Sequence, residues 1–481
     1  MRLLTAILLA LLLSFGPAMA QQRTPGNVWT LQQCVRYAID HNITIRQDSL
    51  NARLARYALR QSELSQIPSL NASASYGRSF GRSINPTTNQ FVESTYDFLG
   101  PSASSNVLLF GWMQVRNTIA RNKYSLEAAL ADLDQRRDDI ALNVANGYLA
   151  ALLAQEQINV ARSQVDLSMA LLDQTRAFAG AGRLPELNVA QQESQLATDS
   201  ANLINAIASY NSSILDLKTL LNLDFGEPMV LQAPEVAADD QLRITVTQPE
   251  EIFLTARSHF GSIRGNQLRV AAAEKGLAAA KSGLYPQLSL SYQVGTNFAS
   301  NFQRIAGYGD TLVAPTANFL QFNNDRIPIF QYIQMPTVEN TPFGDQIKNN
   351  VRQSVVLNLN VPIFNGWQTR YGVKQAQVNL ASAQLAEYNA ELVLKQSVYK
   401  AHNDAFNAVQ RYNAARRADD AAKRALDFAK KRYDLGLTST VDLLVTKNSE
   451  FAAASNLVGA KYQLLFRLKV IEYYQGKELK L

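Results

Sequence analysis

Hydrophobic positions along the chain keep two rhythms, which alternate in a fixed order. Leu31 to Gln66 and Glu250 to Ser282 read as helices, each stopped by a proline, Pro68 or Pro286, that blocks helix continuation. A period of two follows each proline. Leu288, Leu290, Tyr292 and Val294 alternate with Gln287, Ser289, Ser291 and Gln293. A return stretch sets Val355, Leu357, Leu359, Val361 and Ile363 against Ser354, Asn358 and Asn360, with only Val356 out of step. The earlier stretch is weaker but alike, with Leu70, Ala72, Ala74 and Tyr76 against Asn71, Ser73 and Ser75. Period two predicts strands with one apolar and one polar face. Glycine turns then lead into proline-free helical stretches of equal length, Phe110 to Gly182 and Phe364 to Gly436. At about 1.5 Å per residue, some 70 helical residues reach roughly 100 Å. In the second stretch Ala405, Val409, Tyr412, Ala415, Ala418, Ala422, Leu426, Ala429 and Tyr433 recur at threes and fours, a coiled-coil-like stripe. Returning helices are predicted from Leu187 to Leu223 and from Val441 to Tyr474.

The order repeats because the chain is written twice. At an offset of 218, Ala38, His41, Ile45 and Arg46 fall on Ala256, His259, Ile263 and Arg264. At an offset of 254, Val107, Phe110, Arg116 and Val144 fall on Val361, Phe364, Arg370 and Val398. The offset grows by 36 between Gly295 and Phe364, so the second copy carries an insertion there. The expected organisation is an export signal over 1–20, a first repeat over 21–223, a connector over 224–249 and a second repeat over 250–481. Between the paired strands lie Arg78 to Asp97 and Thr296 to Asn350. The second is rich in Phe, Tyr, Asn and Pro and too long for an ordinary loop, so it reads as functional or mobile.

The first 20 residues combine Arg2, an apolar run from Leu3 to Leu13 and an Ala18-Met19-Ala20 cleavage site. That is the three-part layout of a secretory signal, and its apolar run is too short to span a bilayer. No later segment has the 18 or so apolar residues of a membrane helix. Strands of a membrane barrel carry a far weaker signal and stay open as a reading.

Composition narrows the chemistry. The 481 residues carry 46 Lys+Arg against 40 Asp+Glu, a formal charge of +6, which is too balanced for a nucleic-acid binder. With 47% apolar residues the chain is not disordered. A single cysteine, Cys34, excludes an intrachain disulfide and cysteine-rich metal sites, and reads as a small hydrophobe on a helix. His41, His259 and His402 are too far apart for a helical metal motif. Nucleophile elbow, P-loop and dinucleotide fingerprint are all missing, so no catalytic residue, cofactor or metal is expected, and the chain reads as a non-enzyme.

Four strands per chain are too few to close a barrel, and an open sheet edge is forbidden in lipid. Membrane strands therefore require several copies to close one barrel together. A soluble sandwich would show the same alternation but has no need of such long rods. The segment LQQCVRYAIDHN, the paired strand entries IPSLNASASYG and YPQLSLSYQVG, the strand-to-helix junctions VLLFGW and VPIFNGW and the tip RYDLGLTSTVDLL, in their duplicated order, resemble the TolC family of outer-membrane efflux ducts over essentially the whole mature chain. The resemblance implies a mainly α fold with membrane β: a homotrimer whose four strands per chain form a shared 12-stranded barrel, continued by an α-helical barrel across the periplasm. It also implies a passive exit duct for drugs or secreted proteins, working with a periplasmic adaptor and an inner-membrane pump. A structural or adhesive surface protein with helical spacers is the alternative.

The resemblance puts adaptor docking at the two helical tips, Gly182, Arg183 and Leu184 in one and Gly436, Leu437 and Thr438 in the other. Each glycine also suits a helix end that needs positive φ. Asp442 falls where the family places acids at the periplasmic constriction, and Asn188 is its neutral counterpart in the first copy. Ser439 to Asp442 equally fits a helix N-cap. Asp442, with the basic run from Arg416 to Arg432, is expected to share in closing the tip, although such a run reads foremost as a solvated face. Trp112 and Trp367 suit either an aromatic belt at the membrane boundary or simple packing.

Overall fold

The structure, a computed structural model, describes residues 28–84, 90–93, 95–232, 248–323 and 325–477. The export signal and residues 233–247 of the connector lie outside the described residues. In chain order the elements are β1 (Val28–Trp29), α1 (Leu31–His41), α2 (Ile43–Leu64), β2 (Ser69–Ser79), β3 (Arg82–Ile84), β4 (Phe91–Glu93), β5 (Tyr96–Phe110), α3 (Gln114–Gly180) and α4 (Glu186–Leu221). They continue with β6 (Val230–Leu231), α5 (Pro249–His259), α6 (Gly261–Ser282), β7 (Gln287–Gly295), β8 (Phe298–Ala299) and β9 (Gln303–Phe322). The last are β10 (Asp325–Asn340), α7 (Phe343–Asn349), β11 (Arg352–Asn360), α8 (Gln368–Asp434) and α9 (Thr440–Tyr474). The chain divides into two compact units, and each draws on both halves of the sequence. One takes its described residues from Met1–Arg53, Ala128–Gln267 and Ala386–Leu481, the other from Leu54–Glu127 and Leu268–Leu385.

The first unit is helical. The stretch read as one helix over 31–66 is two helices, because Asn42 leaves the helical region (φ −64°, ψ 129°) and its Oδ1 caps the next helix from Thr44 N–H at 2.9 Å. Phe260, 218 residues later, makes the equivalent break (φ −65°, ψ 124°). Beside it, a Cβ on Gly261 would lie 2.4 Å from the carbonyl oxygen of Ala131, so only glycine lets α6 start this close to α3. At each break a histidine ring meets the carbonyl four residues back, His41 Nδ1 at 3.0 Å from Tyr37 O and His259 Nδ1 at 2.7 Å from Thr255 O. Each ring thus folds back on the last turn of its own helix. The two cores correspond. Cys34, Ala38, Ile45 and Val144 are buried in one, and Ile252, Ala256, Ile263 and Val398 in the other. Cys34 is fully buried, which pushes its thiol up to about 12.

Helices α3 and α8 each run 67 residues. From 401 to 433 of α8 a seam at 401, 405, 408, 412, 415, 419, 422, 426, 429 and 433 is buried or half-buried throughout and keeps a seven-residue repeat, with 402, 404, 409 and 430 half-buried at its sides. The stripe read from sequence slips here: Ala418 is exposed and Asp419 takes the seam position. The cause is chemical, since Asp419 Oδ2 accepts from Lys423 Nζ at 2.7 Å and gives up part of its water for an ion pair.

The second unit holds a sheet in the order β11-β7-β5-β2, antiparallel throughout, with β8 beside β5. Register aligns the rows. Asn71, Ser104, Gln293 and Ser354 lie on one line and Ser69, Asn106, Ser291 and Val356 on another, all on one face. The opposite face carries Leu70, Ala72, Leu290, Tyr292, Val355 and Leu357. The strand ends at Asn360, so Val361 and Ile363 lie beyond it.

The segment Thr296–Asn350 differs from its reading as a loop. Strands β9 and β10 pair from Gln303↔Asn340 to Phe322↔Asp325, and α7 closes the segment. Apolar residues on both faces hide the period of two, and Pro315, Pro328 and Pro336 argue against strands in sequence. A two-stranded ribbon tolerates them because each strand has a free edge.

Candidate functional site

At the helical tips both hairpins turn by one device. Gly182 (φ 70°) and Gly436 (φ 71°) adopt the left-handed conformation that glycine accepts without strain. Arg183 N–H then reaches back to Phe178 O at 2.8 Å, and Leu437 N–H to Arg432 O at 2.9 Å. Arg183 lays its guanidinium on the Phe178 ring, 4.4 Å from the centroid. Leu184 packs against the buried cluster of Leu171, Leu426, Tyr433 and Leu443. Arg432 also donates to Leu437 O at 3.1 Å, which pins the second turn, where Thr438 is half-buried.

Asp442 and Asn188 each stand in the first turn of the returning helix. Ser439 Oγ accepts from Asp442 N–H at 3.1 Å and donates to Asp442 Oδ2 at 2.7 Å, so Asp442 is bound into the cap of its own helix. The basic run of α8 is largely exposed, with Lys431 paired to Asp427 one turn away.

The polar contacts that join the two hairpins run through other residues. Thr175 Oγ1 and Tyr433 OH are 2.9 Å apart, and Gln174 Nε2 donates to Asp434 Oδ1 at 2.6 Å. Further along, Gln195 and Asn448 pair their amides at 3.2 and 3.3 Å. Between these lies a buried ion pair, Lys447 Nζ on α9 to Asp199 Oδ2 on α4 at 2.6 Å, with Ser168 of α3 bonded to both. Lys447 is 0% exposed and Asp199 3%. Burial lowers the ammonium's pKa, against the pull of Asp199. Sequence reading missed this trio. The one available signal was a lysine seven residues after Thr440 and four after Leu443, on the buried seam of α9.

In the sheet the apolar face is most open along its edge strands: Leu70 of β2 is 79% exposed, and Val355, Leu357 and Leu359 of β11 are 69%, 61% and 65% exposed. Edge strands β2 and β11 keep unpaired backbone on their outer sides. Trp112 donates from its indole to Pro286 O at 2.8 Å and lies tilted against Tyr285, 4.8 Å between centroids, at the foot of the sheet. Among the described residues no helix is long and apolar enough to cross a membrane.

The sequence matches the outer membrane efflux protein family over residues 35–223 and 255–470. The chain belongs to this family. Outer membrane protein TolC of Salmonella enteritidis is 21% identical over 482 residues, 99% of this chain and 86% of that protein. Pyoverdine export outer membrane protein OpmQ of Pseudomonas aeruginosa is 28% identical over 305 residues, 59% of this chain and 61% of OpmQ. The fold is that of solved channels. A membrane protein from Pseudomonas aeruginosa aligns with a TM-score of 0.74 at 17% identity, over 93% of this chain and 90% of the other. The outer membrane protein VceC of Vibrio cholerae aligns at 0.72 and 16% identity, over 93% and 96%. This efflux protein therefore works in the outer membrane as an exit duct of the TolC type, a family of channels.

Proposed function

We propose that three copies close one 12-stranded barrel and continue it as a helical tunnel through the periplasm, along which drugs or exported substrates pass without chemistry. The observation that carries this reading is the sheet, apolar and exposed on one face, small and polar on the other, with two free edges. Its edge strands run in opposite directions, so β11 of one copy meets β2 of the next in the antiparallel sense already used throughout. Two copies would give eight strands, whose interior side chains alone would fill. Three give 12 strands and a lumen lined by Asn71, Ser73, Ser104, Asn106, Ser291 and Gln293, which are neutral and small enough to pass varied cargo. The organisation into repeats 21–223 and 250–481 about a connector at 224–249 goes with this assembly, with 296–350 on the cell's outer side.

The tips, Gly182–Leu184 and Gly436–Thr438, are read as the docking site of a periplasmic adaptor that joins the duct to an inner-membrane pump. Asp442 and Asn188 line the narrow end, with one carboxylate per chain. A photo-crosslinking residue at Arg183 or Thr438 should capture one adaptor species in living cells, identified by mass, while the same residue at Ser73 in the lumen should not. Absence of any adaptor at either tip, with export intact, would overturn the docking assignment.

A further inference from the structure

The β9–β10 ribbon has two different apolar faces. Residues directly opposite each other in the register share a face. Pro336↔Tyr308, Tyr332↔Val313, Phe330↔Pro315 and Pro328↔Phe319 make one face aromatic. Ile333↔Leu312 and Ile327↔Leu320, with Met335, make the other aliphatic. All these large side chains but Ile333 are exposed. No charge falls within 311–322 or 327–338. Of the charges that flank these stretches, Arg304 pairs with Glu339 at 2.6 Å at the base and Arg326 lies over the Phe319 ring at 4.5 Å near the turn. A lone two-stranded ribbon is marginal in water, and a soluble surface does not leave apolar area of this kind uncovered.

A lipid surface would cover one face only. Two unlike faces fit a head-to-tail contact, which repeats around a ring when rotation closes it. The ribbon is also rooted between β7 and β11, and β11 is the sheet edge that meets the neighbouring copy. We infer that the ribbons of the three copies pack against one another, aromatic face of one on aliphatic face of the next, as a protein collar above the barrel. This rests on the trimer proposed above and adds a second, extracellular subunit interface. The bare barrel needs no such contact, so the collar can fail while the trimer stands.

Oxidative cross-linking separates the two. Tyr332→Cys and Leu312→Cys put thiols on opposite faces of adjacent rungs, where they cannot join within one chain. The native Cys34 is buried and does not compete. In oxidised membranes the double variant should lose most of its monomer band to covalent dimers and trimers on heated, non-reducing gels, while each single variant stays monomeric. An unheated trimer that heats to monomer in the oxidised double variant overturns the collar and leaves the trimer. Equal cross-linking of the single variants overturns the head-to-tail pairing. No unheated trimer overturns both. A bimane at position 332 quenched by brominated acyl chains in proteoliposomes assigns the face to lipid and also overturns the collar.

Discussion

Lys447 gives the tip its most sensitive residue. It is buried beside Asp199 and Ser168, and removing one member of such a pair strands the other charge away from water. Lys447→Met is expected to destabilise the folded protein by about 3–5 kcal/mol, whereas adding Asp199→Leu should recover much of the loss. Denaturant midpoints of the detergent-solubilised protein check this, and equal losses in single and double variants would refute it. Asp442 is a milder case. Asp442→Ala removes a carboxylate from a helix N-terminus and should cost about 0.5–1 kcal/mol. The same variant, recorded in a bilayer, measures its part in the constriction, since a pure cap leaves conductance and ion selectivity unchanged. Cys34 tests the core. A thiol held at about 12 by burial stays protonated through neutral pH, so maleimide should label it only after unfolding. The Ser439–Asp442 cap was legible in sequence because its partners are three residues apart. Lys447 and Asp199 stand 248 apart, and no local pattern announces their meeting.

At the scale of elements, the strand-to-helix junctions share a strained turn. Trp112 (φ 51°) and Met113 (φ 65°) are left-handed in one half, and Gly366 (φ 62°) and Trp367 (φ 70°) in the other. A side chain there costs roughly 1–2 kcal/mol of backbone energy. Gly366 has open space around its missing Cβ, so Gly366→Ala should lower stability by about that amount through backbone alone. Met113→Gly should raise stability or leave it level, and thermal midpoints of the two variants read both effects. Long helices were legible because a 3.5-residue rhythm sustained without proline has few other solutions. The ribbon was not, because a two-stranded element that is apolar on both faces and tolerates proline keeps none of the usual strand signs.

At the scale of the whole molecule, a sheet with two open edges and an exposed apolar face is incomplete as a single chain. In the assembly proposed above, copies joined edge to edge would satisfy the backbone, lipid would cover the apolar face, and the polar face would enclose water. The inter-hairpin bonds at Thr175–Tyr433 and Gln174–Asp434 each contribute modestly, so on the proposed docking an adaptor would open the narrow end by displacing a few of them. The measurement that bears most directly on this account is single-channel recording from purified, unheated trimers in planar bilayers, with wild-type protein beside Tyr433→Phe. Discrete conductance steps are predicted without pump or nucleotide, larger in the variant whose hairpins are less tightly joined. Trimers shown to be inserted that leave the bilayer silent, in wild type and variant alike, would contradict a membrane duct.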